Sequence, residues 1–194
     1  MAQNAQPRVV KSGIGTMAWL LVPVAVGINL VGNFIAVSLK LPVFLDSIGT
    51  VTAAILAGPW IGALVGLLTN LIAGLLITPT WLWYAVVNVV FGIVAGFLAR
   101  KGWYSTIPKT IVCGLILAVI GMIVSAPITA YVYGGVTGAG EDFIRAYLYA
   151  TGKTLLEGAI TASAITEPLD KIISAIIAFL IVKGVPHRYR AQFK

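Results

Sequence analysis

The stretch "TEPLDK", residues 166–171, sets Glu167, Asp170 and Lys171 within five positions, directly before the apolar run "IISAIIAFLIV". Glu167 and Asp170 are three apart and share a helix face, and Lys171, four after Glu167, is placed to pair with it. Two uses fit such a group. At a solvated helix start, with Pro168 near the first position, the acids complement the positive dipole end. At membrane depth, ionisable side chains face a protein interior or a cavity and hold a polar ligand.

Other candidates carry the same choice. Asp46 stands before "SIGTVTAAILA", where a carboxylate either caps the first turn or joins a site. "TPTWLWY", residues 78–84, brings Trp81, Trp83 and Tyr84 together, as an interfacial belt or as a stacking wall for a flat ligand. Trp81 and Trp83 point different ways on a helix, so one of them is expected to line a site. Asn88 follows Tyr84 by one turn, and both could face a cavity. Asn29 and Asn33 share a face of an earlier helix, where amides commonly join helices; that use is expected of Asn33 and left open for Asn29.

Catalytic and metal chemistry find no support. Cys113 is the single cysteine and His187 the single histidine. Thiolate and imidazole ligands are therefore too few for a zinc site, and no nucleophile–base pair is visible. There is no phosphate-binding loop of the Walker type and no nucleotide-binding glycine motif. The expectation is a protein that is not an enzyme and holds no cofactor or metal.

The elements that position these residues follow from composition. Apolar residues make up 59% of the 194-residue chain and charged residues 10%, with a mean hydropathy of +1.00. Soluble domains are nearer a quarter charged, so the solvent is a membrane. The length leaves room for about six spans of about 20 residues. They are expected at 14–38, at 47–57 (a short one), and at 61–77, 83–99, 110–133 and 167–183. Pro42 ends the first, and Pro59 opens the third at its first position. The fold class is thus an all-α integral membrane protein, one six-helix domain over 1–194. Residues 1–13 form a cytoplasmic N-terminus and 184–194 a basic cytoplasmic tail. The long connection at 134–166, too apolar in its second half for disorder, is expected to be an outer loop or lid. Glu157 is its expected polar contact with a ligand. Glycines recur at spacing four (Gly58, Gly62, Gly66; Gly92, Gly96), which lets helices approach closely.

Basic residues set the orientation. With both termini cytoplasmic, Arg8, Lys11, Arg100, Lys101, Lys109, Lys183, Arg188, Arg190 and Lys194 fall inside, and Lys40, Arg145, Lys153 and Lys171 outside. All six acids, Asp46, Glu141, Asp142, Glu157, Glu167 and Asp170, fall outside. The net charge of +7 is then the inward bias plus attraction to anionic membrane lipid, with no call for nucleic acid.

Over nearly its whole length the chain resembles the substrate-binding S components of energy-coupling factor (ECF) vitamin transporters. The likeness rests on size, six spans, "LPVFLDSIGT", the hairpin "LAGPWIGALVGLLTNLIAG", and "YGGVTGAG" ahead of "TEPLDK". It implies capture of a vitamin or heterocyclic precursor from outside, in the outer half of the helices. The positions falling there are Asp46, Trp81, Trp83, Tyr84, Asn88, Glu157, Glu167, Asp170 and Lys171. It further implies a transmembrane coupling subunit and two cytosolic ATPases as partners. The family's Ala-x-x-x-Ala docking pair is missing from the first helix; Gly15 with Ala18, or Gly32 with Ala36, are the nearest substitutes. A solitary transporter, or a membrane sensor or scaffold, are the alternatives. The excess of outer acids leans towards a neutral or cationic heterocycle.

Overall fold

A computed structural model describes residues 15–190, 192 and 193. Segment 1–13, expected at the cytoplasmic face, lies outside the described residues, as does Lys194. The described chain is helical and contains no strand. Helix α1 spans Thr16–Ser38, α2 Ile48–Ala57 and α3 Pro59–Leu76. A single turn, α4 (Thr80–Trp83), leads into α5 (Ala85–Arg100). Helix α6 (Ile107–Pro127) continues through a π-helical turn at Ile128–Val132. Helix α7 (Asp142–Ala150), the 30-residue α8 (Leu155–Gly184) and a terminal turn, α9 (His187–Arg190), complete the chain.

Four stretches are long and apolar enough to cross a bilayer: Thr16–Ser38, Pro59–Leu76, Thr80–Arg100 and Ile107–Val132. Such helices fit a multi-pass membrane protein. Large apolar side chains such as Phe34, Leu76, Ile123 and Leu180 lie exposed on the helix exteriors, as a lipid solvent permits. Small residues carry the interior contacts instead. A side chain at Gly92 would run into the backbone of Gly62 and Ala63, so α3 and α5 touch main chain to main chain. Gly114 lies equally close to the backbone of Lys171 and Ile172, which brings α6 against the charged part of α8.

Helix α2, at 10 residues, is about 15 Å long, half a hydrocarbon core. It starts at mid-height of α1, where Gly49 packs on the Ala25 carbonyl. The chain reaches that depth by turning at the end of α1 and running back down beside it. Leu45 lies against Gly32, and Asn33 Nδ2 donates to the Phe44 carbonyl at 3.3 Å. Asn29, fully buried, joins three helices. Its Nδ2 donates to Thr50 and Thr69 Oγ1 at 2.9 Å each, and its Oδ1 accepts the Gly49 N–H.

Two expectations change here. The last long helix begins at Leu155, not near Glu167, so 155–166 is helix and not loop. The physical reason is the capping box of Thr154 and Glu157: Glu157 N–H donates to Thr154 Oγ1 at 3.3 Å, and Thr154 N–H to Glu157 Oε2 at 3.0 Å. "TEPLDK" is accordingly mid-helix, with Pro168 inside the helix, and its charges do not mark a helix start. Asp46 is likewise not the cap of α2; Ser47 occupies that position, and it makes no side-chain cap bond.

Candidate functional site

At the end of the bundle where α1 stops and α8 starts, a cavity of about 390 Å³ opens between the descending loop, α4–α5, the end of α6 and the loop ahead of α7. That volume suits a small organic molecule.

Its floor is built on α8. Glu167, Asp170 and Lys171 are 4%, 0% and 1% exposed, which excludes a solvated helix face. Lys171 Nζ donates to Asp170 Oδ2 at 2.5 Å and to Ser47 Oγ at 3.3 Å, and lies 4.4 Å from the centre of the Phe91 ring. Asp170 Oδ1 accepts the backbone N–H groups of Phe44 and Leu45 at 3.0 and 2.8 Å. Non-helical backbone inside a membrane bundle has to find such partners. Asp170 therefore holds the loop, while Glu167 and Lys171 face the cavity. Gly121 on α6 makes the space: a Cβ there would sit 2.6 Å from Glu167 Oε2.

The walls come from the descending loop and α4–α5. Asp46 lies 3.7 Å from Lys171 Nζ, the same distance as Glu167. Asn88 is fixed by a relay of amides. Asn70 Nδ2 donates to the Trp81 carbonyl, so its Oδ1 accepts from Asn88 Nδ2 at 2.9 Å. Trp81, Tyr84, Phe44 and Phe91 add aromatic surface. The π-helical turn presents Thr129 to the Tyr84 hydroxyl at 2.6 Å, and Tyr133 stacks on Tyr84 with ring centres 5.9 Å apart.

The roof is the loop at 137–141 with the start of α7. Gly140 packs on the Leu41 carbonyl, closing this loop onto the descending one. Arg145, 1% exposed, turns inward; it donates to Glu141 Oε2 at 2.8 Å and forms a short ion pair with Asp142. Burial opposes the guanidinium charge, but the two carboxylates outweigh it and hold its pKa above the ordinary value. Glu141 Oε1 also accepts from Ser163 and Thr166 on α8 at 3.1 and 3.0 Å, which fastens the roof to the floor helix.

Of the residues singled out from sequence, Asp46, Trp81, Tyr84, Asn88, Glu167 and Lys171 line the cavity. Asp170 lies behind the floor, bonded to the loop and to Lys171. Trp83, 59% exposed, faces outward, and Glu157 is exposed in the α8 cap, away from the cavity. Thr154 N–H and Oγ1 hold the Glu157 carboxyl below its usual range. Sequence reading passed over Glu141 and Arg145, although their spacing of four is that of a helical ion pair. It also passed over Phe44 and Phe91, which carry no local signal. No known protein family, curated protein or solved structure matches this chain.

Proposed function

We propose that the chain is the substrate-binding subunit of an uptake transporter in the cytoplasmic membrane. It captures a small vitamin or heterocyclic precursor from outside and is energised by separate ATPase subunits through a membrane coupling partner. In this reading the bundle crosses the membrane six times with both termini inside. Helix α2 together with its descending loop, and α8, supply the two crossings beyond the four long apolar stretches. The cavity then opens towards the outer face, where all the acids lie.

The observation that carries the reading is a cavity of about 390 Å³, roofed by a loop and floored by buried charge, within an otherwise apolar bundle. Buried ionisable groups at membrane depth are costly and belong to substrate pathways or sites. The chain's likeness to ECF S components supports the vitamin-like ligand and the external source of energy.

A second reading, a solitary transporter, is favoured by the first helix. Its nearest substitutes for a small-residue docking pair, Ala18, Gly32 and Ala36, are buried inside the bundle. The exposed face of α1 presents Trp19, Val24, Val31 and Phe34.

Mass spectrometry of small molecules released from the purified chain tests the proposal, together with co-purification of co-expressed ATPase subunits. A heterocycle plus ATPase partners supports it, and a heterocycle without partners favours the solitary form. If nothing is released and no compound from a vitamin panel raises the unfolding temperature, the binding reading fails.

A further inference from the structure

Three residues that line the cavity each carry a buried acceptor oxygen without a hydrogen-bond partner among the described residues. Glu167 Oε2 and Asn88 Oδ1 belong to residues only 4% and 2% exposed, and neither has a hydrogen-bond partner; Asp46 Oδ1 is buried and unpartnered as well. The amide relay commits Asn88 Nδ2 to Asn70 and to the Asp46 carbonyl. The free atom of Asn88 is therefore an acceptor, not a donor. A ligand that satisfies this floor has to bring N–H or O–H groups.

Charge narrows the ligand further. Lys171 is drawn to Asp170 at 2.5 Å and stands 3.7 Å from Glu167 and from Asp46, so three carboxylates share one ammonium. On the roof, Arg145 is divided between Glu141 and Asp142. With every cation at the cavity already shared among acids, no positive charge is left to receive an anion, whereas a cation finds carboxyl groups to pair with. The acids do not gather into a group able to hold a metal ion among the described residues, and Trp81 and Tyr84 line the cavity with aromatic surface of the kind that attracts a flat organic cation.

We propose that the cavity takes a planar organic monocation, of the amidinium or protonated aminoheterocycle class, whose N–H groups donate to Glu167 Oε2 and Asn88 Oδ1. The proposal rests on the substrate-binding reading above and narrows its ligand from a neutral or cationic ring to a cationic one.

Three isosteric probes separate the alternatives: benzamidinium, benzamide and benzoate, titrated into the full chain in lipid nanodiscs at neutral pH and followed by ligand-observed NMR. Benzamidinium is expected to bind at least about tenfold more tightly than benzamide, the scale of one hydrogen bond to a charged group, and benzoate not to compete. Glu167→Gln should remove most of that preference by weakening benzamidinium far more than benzamide. Asp46→Asn, in the descending loop, should reduce it in the same direction and serves if Glu167→Gln does not fold. Equal or tighter binding of benzamide or benzoate overturns the cation assignment but leaves the substrate-binding reading standing. A cation preference that survives in both variants overturns the assignment of these acids. If none of the probes binds, both the assignment and the cavity as a ligand site fall.

Discussion

Asp170 Oδ1 accepts the Leu45 N–H at 2.8 Å, joining the middle of α8 to a loop 125 residues earlier. Leu45 holds a φ of 52°, in the left-handed region that costs a residue with a side chain roughly 1–2 kcal/mol. The carboxylate that fixes this turn is also the nearest counter-charge of Lys171. One side chain thus sets the path of the descending loop and the charge state of the cavity floor, and through both the position of Asp46.

Removing that carboxylate should be costly. Asp170→Ala strands two backbone N–H groups and leaves Lys171 without its closest partner. Breaking a buried pair from one side costs about 3–5 kcal/mol, so thermal unfolding in detergent should fall sharply. Glu167→Gln keeps the shape and breaks no contact shorter than 3.7 Å to Lys171, so it should unfold within a few degrees of the parent. Equal losses for the two variants would remove the division of labour between them.

The roof should loosen when its cation is lost. Arg145→Met leaves Glu141 and Asp142 without their partner. Amide exchange across residues 136–146 should then accelerate while that of α3 and α5 stays unchanged. Ligand release is expected to quicken in step, because the roof loop covers the cavity. A roof that exchanges no faster in the variant would mean that Gly140 packing and the Glu141 bonds to Ser163 and Thr166 hold it shut without Arg145.

The two tryptophans should behave differently. Trp81 lines the cavity, whereas Trp83 faces outward. Trp81→Ala is expected to weaken binding of an aromatic ligand by about 1–3 kcal/mol, the loss of one stacking face. Trp83→Ala should leave affinity unchanged, as read by the same titration. A larger effect at Trp83 would place the ligand elsewhere.

Thr154→Ala removes a helix cap, which typically costs about 1 kcal/mol. Exchange of the first-turn amides of α8 should rise, with no change in ligand affinity. Glu157 gives this cap a pH dependence. Its carboxyl is held below the usual range by the Thr154 N–H and hydroxyl, so the stabilisation is complete above the ordinary carboxylate pKa and disappears as pH falls through the lowered value. First-turn exchange, corrected for the intrinsic rate, should therefore rise only in acid. A flat profile would show that the Glu157 half of the cap contributes nothing.

Much of the fold is legible from local pattern. The apolar runs that become α1, α3, α5 and α6 announce their length and solvent, and Pro59 marks where α3 opens. The start of α8 was legible too, in the Thr-x-x-Glu spacing of Thr154 and Glu157, but the charges of "TEPLDK" drew the boundary twelve residues too late. Charge inside an apolar helix reads locally as an end, because the cost of burying it is visible in sequence and its compensation is not.

By itself the sequence determined a helical chain with a membrane as its solvent and its acids gathered towards one end. Only the tertiary structure decided what each acid does. Asp170 meets the backbone of Leu45, Glu141 meets Arg145 together with Ser163 and Thr166, and Glu167 is left facing the cavity. Those assignments depend on partners up to 126 residues away, and a buried charge takes its role from whichever partner the packing brings within a few ångströms.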